Sequence, residues 1–291
     1  MTAIEIITDS TCDIPDSLVQ QYGIQIVPEY ILWGKDQFRD RVDLQPLDFY
    51  RRLATDPQRP TSSQASITDF QQAYEDAAAR GAAEIVVLTV SSAMSGTFQS
   101  ALNAAKLVKI PVSVVDSKGP TMSLGWQALA AARARDTGAN VKAILESVER
   151  VRQGLVQMVA METLEFLQKG GRIGDAIKWV GGLLQVRPLV SINHTSGRVE
   201  PVTLTRTHKA LVENLCSKFF ERLDVSKKLH IAVMHGNALP EAEALSERIR
   251  KEYHPLELLI NITGPVLGIN TGPGALALVG YAEELRNHPY Y

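Results

Sequence analysis

The stretch that decides the fold class is Ile85-Val-Val-Leu-Thr-Val90-Ser-Ser-Ala-Met-Ser95-Gly-Thr97. Its first part is the nearly continuous apolar run of a strand buried on both faces, and small hydroxyl residues follow directly. The same order recurs at Ile4–Ile7, which precedes Thr8-Asp9-Ser10-Thr11, and at Val112–Val115, which precedes Asp116-Ser117. Amphipathic helical patterns separate these strands; we expect Asp13 to cap the first helix, and Thr68-x-x-Gln71 is the capping-box pattern of a later one. A hairpin is predicted to turn at Gly34-Lys35. Strands that alternate with helices indicate βαβ units, so we predict an α/β protein whose N-terminal part contains a parallel sheet.

The second half of the chain has a different pattern. Gln185–Ile192 and Arg198–Leu204 flank the turn residues His194-Thr195-Ser196-Gly197, which is typical of an antiparallel hairpin. A helix, a strand, a second helix and two late strands are predicted to follow. We therefore predict an N-terminal α/β domain over residues 1–154 and a C-terminal α+β domain with a mixed or antiparallel sheet over residues 155–291. The sequence has no low-complexity linker, so we expect the two domains to pack closely.

Composition excludes several classes of protein. The chain has 291 residues, 45% of them hydrophobic and 21% charged, which are ordinary values for a globular protein. Its net charge of −2 provides no basic surplus for a phosphate backbone, so nucleic acid is not expected as a partner. The two cysteines, Cys12 and Cys216, lie far apart and lack zinc-ligand spacing, which favours a reducing cytoplasm and no metal.

One segment requires a test for membrane insertion. Residues from Leu258 to Ala282 carry no charge, and the segment is long enough to span a bilayer. It contains five glycines and two prolines, which would leave backbone amides unsatisfied in lipid. Short buried strands joined by turns are favoured instead. The N-terminus has neither a basic region nor a long apolar one, so we predict a cytoplasmic protein without integral membrane association.

The candidate site lies where the predicted strands end. Ligands of open α/β sheets bind beyond the carboxyl ends of the strands, and here those loops contain mostly Ser and Thr. Hydroxyls and helix N-terminal amides together suit an anionic oxygen group, although the same residues also cap helices in proteins without ligands. Both interpretations remain open at this point. The sequence has no nucleophile elbow, Walker A motif, dinucleotide-binding glycine motif or HExxH motif, so no cofactor is expected.

Together these segments resemble the DegV family of bacterial lipid-binding proteins. The matching segments occur in family order from residue 4 to about residue 280: Thr8-Asp9-Ser10-Thr11, Ser62-Ser63-Gln64-Ala65-Ser66, Ser95-Gly96-Thr97-Phe98-Gln99-Ser100-Ala101, Val115-Asp116-Ser117, Leu164-Glu165-Phe166-Leu167-Gln168-Lys169-Gly170-Gly171-Arg172-Ile173 and Gly272-Pro273-Gly274. The resemblance implies a two-domain protein that binds a long-chain fatty acid between its domains. It also implies a carrier without catalytic residues of its own.

The resemblance implies particular site residues. The fatty acid carboxylate would be held by hydroxyls of two loops, and the ligand-binding residues are Thr61, Ser62, Ser95, Gly96, Asn270 and Thr271. Some relatives are the acyl-binding subunit of a fatty acid kinase, in which a separate ATP-binding protein phosphorylates the bound carboxylate. Arg172 and Arg206 correspond to basic residues near the carboxylate or the partner surface.

One departure from the family pattern affects the predicted chemistry. The family motif His-Thr-Gly-Pro-Gly begins here with Asn270, which forms hydrogen bonds but does not titrate. The resemblance therefore supports carboxylate binding by this chain more strongly than a role in phosphoryl transfer. Two alternatives remain: a lipid-sensing regulator without phosphotransfer, and a hydrolase that uses Ser95 with His235 as base.

The lining of the acyl chain cannot be located from sequence. The stretch beyond residue 157 is more apolar than one helix requires, and its candidates are Met158, Met161, Leu164, Phe166, Ile177, Val180, Leu183 and Leu184. The alternative, that these side chains are ordinary core residues, is favoured.

Overall fold

The computed structural model describes residues 3–179 and 186–283. Its strands are β1 (Ile4–Asp9), β2 (Gln25–Val27), β3 (Tyr30–Trp33), β4 (Asp36–Arg39), β5 (Thr61–Ser63), β6 (Glu84–Thr89), β7 (Val112–Asp116), β8 (Val156–Ala160), β9 (Arg187–Asn193), β10 (Arg198–Thr205), β11 (Leu229–His235), β12 (Glu257–Ile262) and β13 (Leu276–Ala282). Its α-helices are α1 (Asp16–Tyr22), α2 (Pro46–Thr55), α3 (Ile67–Ala79), α4 (Thr97–Ala105), α5 (Met122–Asp136), α6 (Val141–Gly154), α7 (Glu165–Lys169), α8 (His208–Phe220), α9 (Leu239–Tyr253) and α10 (Pro265–Thr271). Short 3-10 turns occupy Ser10–Cys12 and Gly174–Trp179.

The predicted parallel sheet is confirmed. Its strand order is β2-β1-β6-β7, and every neighbouring pair is parallel. The carboxyl ends of β1, β6 and β7 therefore lie at one edge, where Asp9, Thr89 and Asp116 end these strands. The hydroxyl loops begin at this edge.

The second sheet is mixed, as the sequence predicts. Its order is β10-β9-β8-β13-β11-β12, and only β11 and β12 are parallel neighbours. The predicted hairpin corresponds to β9 and β10, although Gln185, where we expected it to start, lies outside the described residues. The domain boundary between residues 154 and 155 remains a prediction.

A small third sheet places part of the candidate site. The predicted hairpin around Gly34 is present as β3 and β4, and β5 pairs with the other edge of β3. Strand β5 is not predicted from the sequence, because its three polar residues carry no strand periodicity. Its pairing of Ser62 with Ile31 holds the Thr61–Ser63 segment in an extended conformation.

Two predicted helix starts are wrong. Asp13 was expected to cap α1, but it has a left-handed conformation (φ 51°), and α1 begins after Pro15. The carboxylate of Asp13 instead accepts hydrogen bonds from the guanidinium of Arg41, at 2.6 Å, and from the amide of Gly264, at 2.9 Å. A buried carboxylate is more stable beside a guanidinium than at a helix end, so the tertiary contact prevails. The capping box of α3 likewise begins at Ser66 rather than at Thr68.

The uncharged C-terminal segment contains a helix that the sequence did not predict. Between β12 and β13 the chain forms α10, with Pro265 in its first turn and Gly272 after its end. Its short length and two glycines concealed the helical period. In the described part of the chain, no helix combines the length and apolarity needed to cross a membrane.

Helix α5 lies in the core between the two large sheets. Every residue from Met122 to Ala132 is buried, and α5 packs against β1 and β6 on one side and β13 on the other. Trp126 donates a hydrogen bond from Nε1 to the carbonyl of Val279 in β13, at 3.2 Å. The two polar side chains of this buried stretch, Ser123 and Gln127, form hydrogen bonds, and the apolar ones join the two sheets in one hydrophobic core.

Candidate functional site

A cavity of about 320 Å³ lies between the parallel sheet and the mixed sheet. This volume is within the range of small-molecule sites, about 300–1,000 Å³. Residues from three sheets line it, including Ser62 of β5, Val90 after β6 and Val159 of β8. The cavity therefore forms only when the whole chain is folded.

Polar side chains concentrate around one part of this cavity. Five of the six residues predicted to hold a carboxylate line it, namely Ser62, Ser95, Gly96, Asn270 and Thr271. Ser95 and Gly96 belong to the loop that leads into α4, whereas Asn270 and Thr271 form the last turn of α10. Thr61 does not line this cavity; it lines an adjoining recess instead.

The rest of the lining is mostly apolar. It comes from the mixed sheet and residues next to its strands, from loops of the parallel sheet, and from helices α7 and α10: Val90, Met94, Val159, Met161, Leu167, Val190, Ile192, Val199, Met234, Val266, Leu267, Ala275, Leu276 and Ala277. Side chains at Val159 and Met161 have the spacing of one strand face, as do those at Val190 and Ile192. The combination of a polar end and an apolar body suits an amphipathic acid.

Gly96 is required by a close approach of another side chain. A Cβ atom at this position would lie 2.0 Å from Oε1 of Gln64. Gln64 is held there by a hydrogen bond of 2.9 Å from its Nε2 to Ser100 Oγ of α4. The absence of a side chain at residue 96 thus lets Gln64 reach the cavity wall beside Ser95.

Glu29 lines the cavity and was not singled out from sequence. Its side chain is buried, and its Oε1 lies 2.5 Å from Thr97 Oγ1, which in turn lies 2.8 Å from Ser95 Oγ. Burial raises the pKa of Glu29 well above its usual range, and the neighbouring carboxyl of Asp9 raises it further. Its position just beyond the carboxyl end of β2 is the signal that could have identified it.

Two further buried carboxyls, those of Asp9 and Asp40, are neighbours of Glu29. Burial raises the pKa of Asp9 to about 6 and that of Asp40 to about 7. Asp9 accepts hydrogen bonds from the amides of Thr11 and Val90, while Asp40 accepts one from Ser10 Oγ at 2.7 Å. These contacts stabilise the ionised forms of Asp9 and Asp40 but do not fully offset burial, and the charge of either carboxylate raises the pKa of Glu29.

A second recess of about 350 Å³ adjoins the polar end. Its lining includes Thr61, Arg59 and Lys169. The recess and the cavity share three lining residues, Ser62, Asn270 and Arg172. The guanidinium of Arg172 donates to the carbonyls of Met94 and Gly170, at 3.1 and 2.7 Å, which holds it between the two spaces without neutralising its charge. Arg206 follows β10, is exposed, and lines neither space.

The predicted tail-lining residues are mostly elsewhere. Met161 lines the cavity, whereas Met158 belongs to the core on the other face of the mixed sheet. Phe166 lines the second recess, Leu164 packs on the central core and Ile177 is exposed. Val180, Leu183 and Leu184 lie outside the described residues. The favoured alternative, ordinary packing, accounts for Met158 and Leu164, since a run of apolar residues does not reveal which face each one occupies.

The proposed Ser95–His235 dyad is wrong. Ser95 Oγ is bonded to Thr97, and His235 Nδ1 accepts a hydrogen bond from the amide of Ala238 at 3.2 Å. His235 does not line the cavity. A general base must be within hydrogen-bond reach of the nucleophile, so these two residues do not form a hydrolytic pair.

Comparisons with known proteins agree with this architecture. A fatty acid-binding protein of Thermotoga maritima is 30% identical over 286 residues, which cover 97% of this chain and 98% of that protein. A DegV family protein of Thermus thermophilus, whose structure is described as showing fatty acid binding, has a TM-score of 0.90 and 30% identity, covering 97% of this chain and 100% of that one. DegV of Bacillus subtilis, described as a fatty acid binding protein, has a TM-score of 0.88 and 26% identity, covering 97% of this chain and 100% of that one. The family model described as "Uncharacterised protein, DegV family" matches residues 3–283, and the chain therefore belongs to the DegV family.

Proposed function

We propose that this protein binds a long-chain fatty acid in the cavity between its two large sheets. The carboxylate would lie at the polar end, near Ser62, Ser95 and Asn270, and the acyl chain along the apolar lining. The observation that carries this proposal is one cavity whose wall is mostly apolar and also contains hydroxyl and amide groups, including those of Ser62, Ser95 and Asn270. Relatives of similar sequence and the same fold are described as binding fatty acids.

The energetics favour such a division between head and tail. Burial of about fifteen methylene groups contributes about 12 kcal/mol before the cost of association. A hydrogen bond to the charged carboxylate adds only about 1.5–3 kcal/mol. The apolar wall therefore supplies most of the affinity, and the polar end determines which way the acid enters.

The experiment for this proposal identifies the ligand directly. The protein would be produced in bacteria, purified without detergent, extracted with organic solvent and analysed by mass spectrometry. We expect about one long-chain fatty acid per chain. An empty protein that also fails to bind added palmitate would refute the proposal.

We further propose that the protein is a carrier that presents the carboxyl group to an ATP-binding kinase, which forms an acyl phosphate. Support comes from the second recess, where Arg59, Lys169 and Arg172 outnumber the one acidic residue of the lining, Glu165, which is paired with Lys169. Such charge suits a phosphoryl group. The chain would contribute no catalytic residue and no cofactor.

Labelled ATP tests the kinase proposal. With loaded protein and a purified bacterial fatty acid kinase subunit, we expect label to appear in an acyl phosphate and to depend on both proteins. Because Asn270 replaces the family histidine, Asn270→His is the informative variant. If neither the natural chain nor this variant supports phosphorylation, the remaining interpretation is a regulator that senses lipid without phosphotransfer.

A further inference from the structure

Glu29, Thr97 and Ser95 form a linear chain of hydrogen bonds that ends at the cavity wall. The Oε1 atom of Glu29 lies 2.5 Å from Thr97 Oγ1, and Thr97 Oγ1 lies 2.8 Å from Ser95 Oγ. Glu29 and Thr97 are buried, whereas Ser95 and Glu29 both line the cavity. Each hydroxyl carries one proton, so the direction of every bond depends on the bond before it.

An ionised Glu29 directs this chain away from the ligand. A carboxylate only accepts, so Thr97 would donate to Glu29 and Ser95 would donate to Thr97. The amide of Thr97 also donates to Ser95 Oγ, at 3.3 Å. The single proton of Ser95 would then point to Thr97, and Ser95 would offer only lone pairs to a fatty acid carboxylate.

A protonated Glu29 reverses every bond. Its hydroxyl donates to Thr97, Thr97 donates to Ser95, and the proton of Ser95 becomes available to the cavity. We propose that Glu29 is a positioning residue that must be protonated for Ser95 to act as the hydrogen-bond donor to the ligand carboxylate. This inference rests on the proposed fatty acid site and specifies how its polar end distinguishes protonation states.

The electrostatic surroundings favour the protonated form. The charged groups that act on Glu29 from the packed elements are Asp9 at the end of β1, Asp40 after β4 and Arg172 after α7. Burial and the two aspartates raise the pKa of Glu29, while Thr97 and Arg172 lower it, and the raising effects prevail. A bound carboxylate adds another negative charge and strengthens the same preference.

The test measures fatty acid affinity as a function of pH. Delipidated protein would be titrated with the fluorescent fatty acid cis-parinaric acid from about pH 6 to about pH 10, a range in which an ordinary glutamate stays ionised. In the natural protein we expect affinity to fall about tenfold or more as Glu29 ionises, with up to one proton taken up per ligand bound at high pH. Calorimetry in buffers of different ionisation enthalpy measures this uptake.

Two variants should abolish the pH dependence by different routes. The amide of Glu29→Gln donates permanently to Thr97, and Thr97→Val removes the link and frees the proton of Ser95. For both variants we expect a fatty acid affinity that does not fall at the high-pH end of the range. Asp40→Asn is the matched control, since it makes the same carboxyl-to-amide change in a residue that does not line the cavity. It should retain the fall in affinity, displaced to lower pH because one neighbouring negative charge is gone.

The outcomes separate this inference from the site itself. A natural protein that binds with a flat profile, or a Glu29→Gln variant that follows the natural profile, would overturn the role of Glu29 and leave fatty acid binding intact. Failure of all four proteins to bind at any pH would instead refute the proposed function.

Discussion

Replacement of Ser95 by alanine tests the polar end of the cavity most directly. The change removes one hydroxyl from the wall and leaves the apolar lining untouched. A hydrogen bond to a charged group contributes about 1.5–3 kcal/mol, so we expect the affinity for palmitate to fall between about tenfold and about 150-fold. Ser95 Oγ also loses its bonds from the amide of Thr97, at 3.3 Å, and with Thr97 Oγ1, at 2.8 Å, and each loss lowers the free energy of unfolding by about 0.5–1.5 kcal/mol.

The assay is a titration of delipidated protein with palmitate, accompanied by thermal unfolding of the same samples. Ser92→Ala is a close control, because Ser92 lies in the same loop but is exposed and does not line the cavity. We expect this control to bind as the natural protein does. Equal affinities for the Ser95 and Ser92 variants, with both proteins folded, would show that Ser95 does not contact the carboxylate.

Three further changes test other parts of the structure. Gly96→Ala places a Cβ 2.0 Å from Gln64 Oε1, so we expect several-fold weaker palmitate binding. Gly154→Ala is the control, because its Cβ would make only ordinary contacts from 3.7 Å, and it should bind normally. Equal palmitate affinities for the two variants would contradict this reasoning. Ala277→Phe fills part of the cavity, so palmitate affinity should fall about tenfold while octanoate still binds; an unchanged ratio of the two affinities would argue against an acyl chain there. The pKa of Asp40 is about 7 in the folded protein against an ordinary 3.8, so its contribution to stability is complete below about pH 4 and is lost as the pH rises through about 7. The free energy of unfolding, measured with urea, should therefore decline less between these pH values for Asp40→Asn than for the natural protein. Parallel curves for the two proteins would refute this role of Asp40.

Local patterns were sufficient for much of the architecture. Buried strands such as Ile85–Val90 are recognisable because β-branched residues run continuously, and the Ser/Thr loops after them mark the carboxyl edge of a parallel sheet. Five of the six head-group residues that the family resemblance implies line the cavity, and two of them, Ser95 and Gly96, lie in the loop after a buried strand. Thr61 was misplaced: it lines the adjoining recess, whereas its neighbour Ser62, which has the same chemistry, lines both spaces.

The sequence by itself determined the elements with strong periodicity, such as the strands of the parallel sheet, and which loops meet at the edge of that sheet. Tertiary structure decided what those loops enclose, and it also decided β5 and α10, whose short segments carry too little periodicity to predict them. Helix α5 packs against both β1 and β13, which lie more than 260 residues apart along the chain, and the cavity lies between the same two sheets. Glu29 became part of the site because burial among other carboxyls changes its protonation, and no local pattern in a sequence encodes that environment.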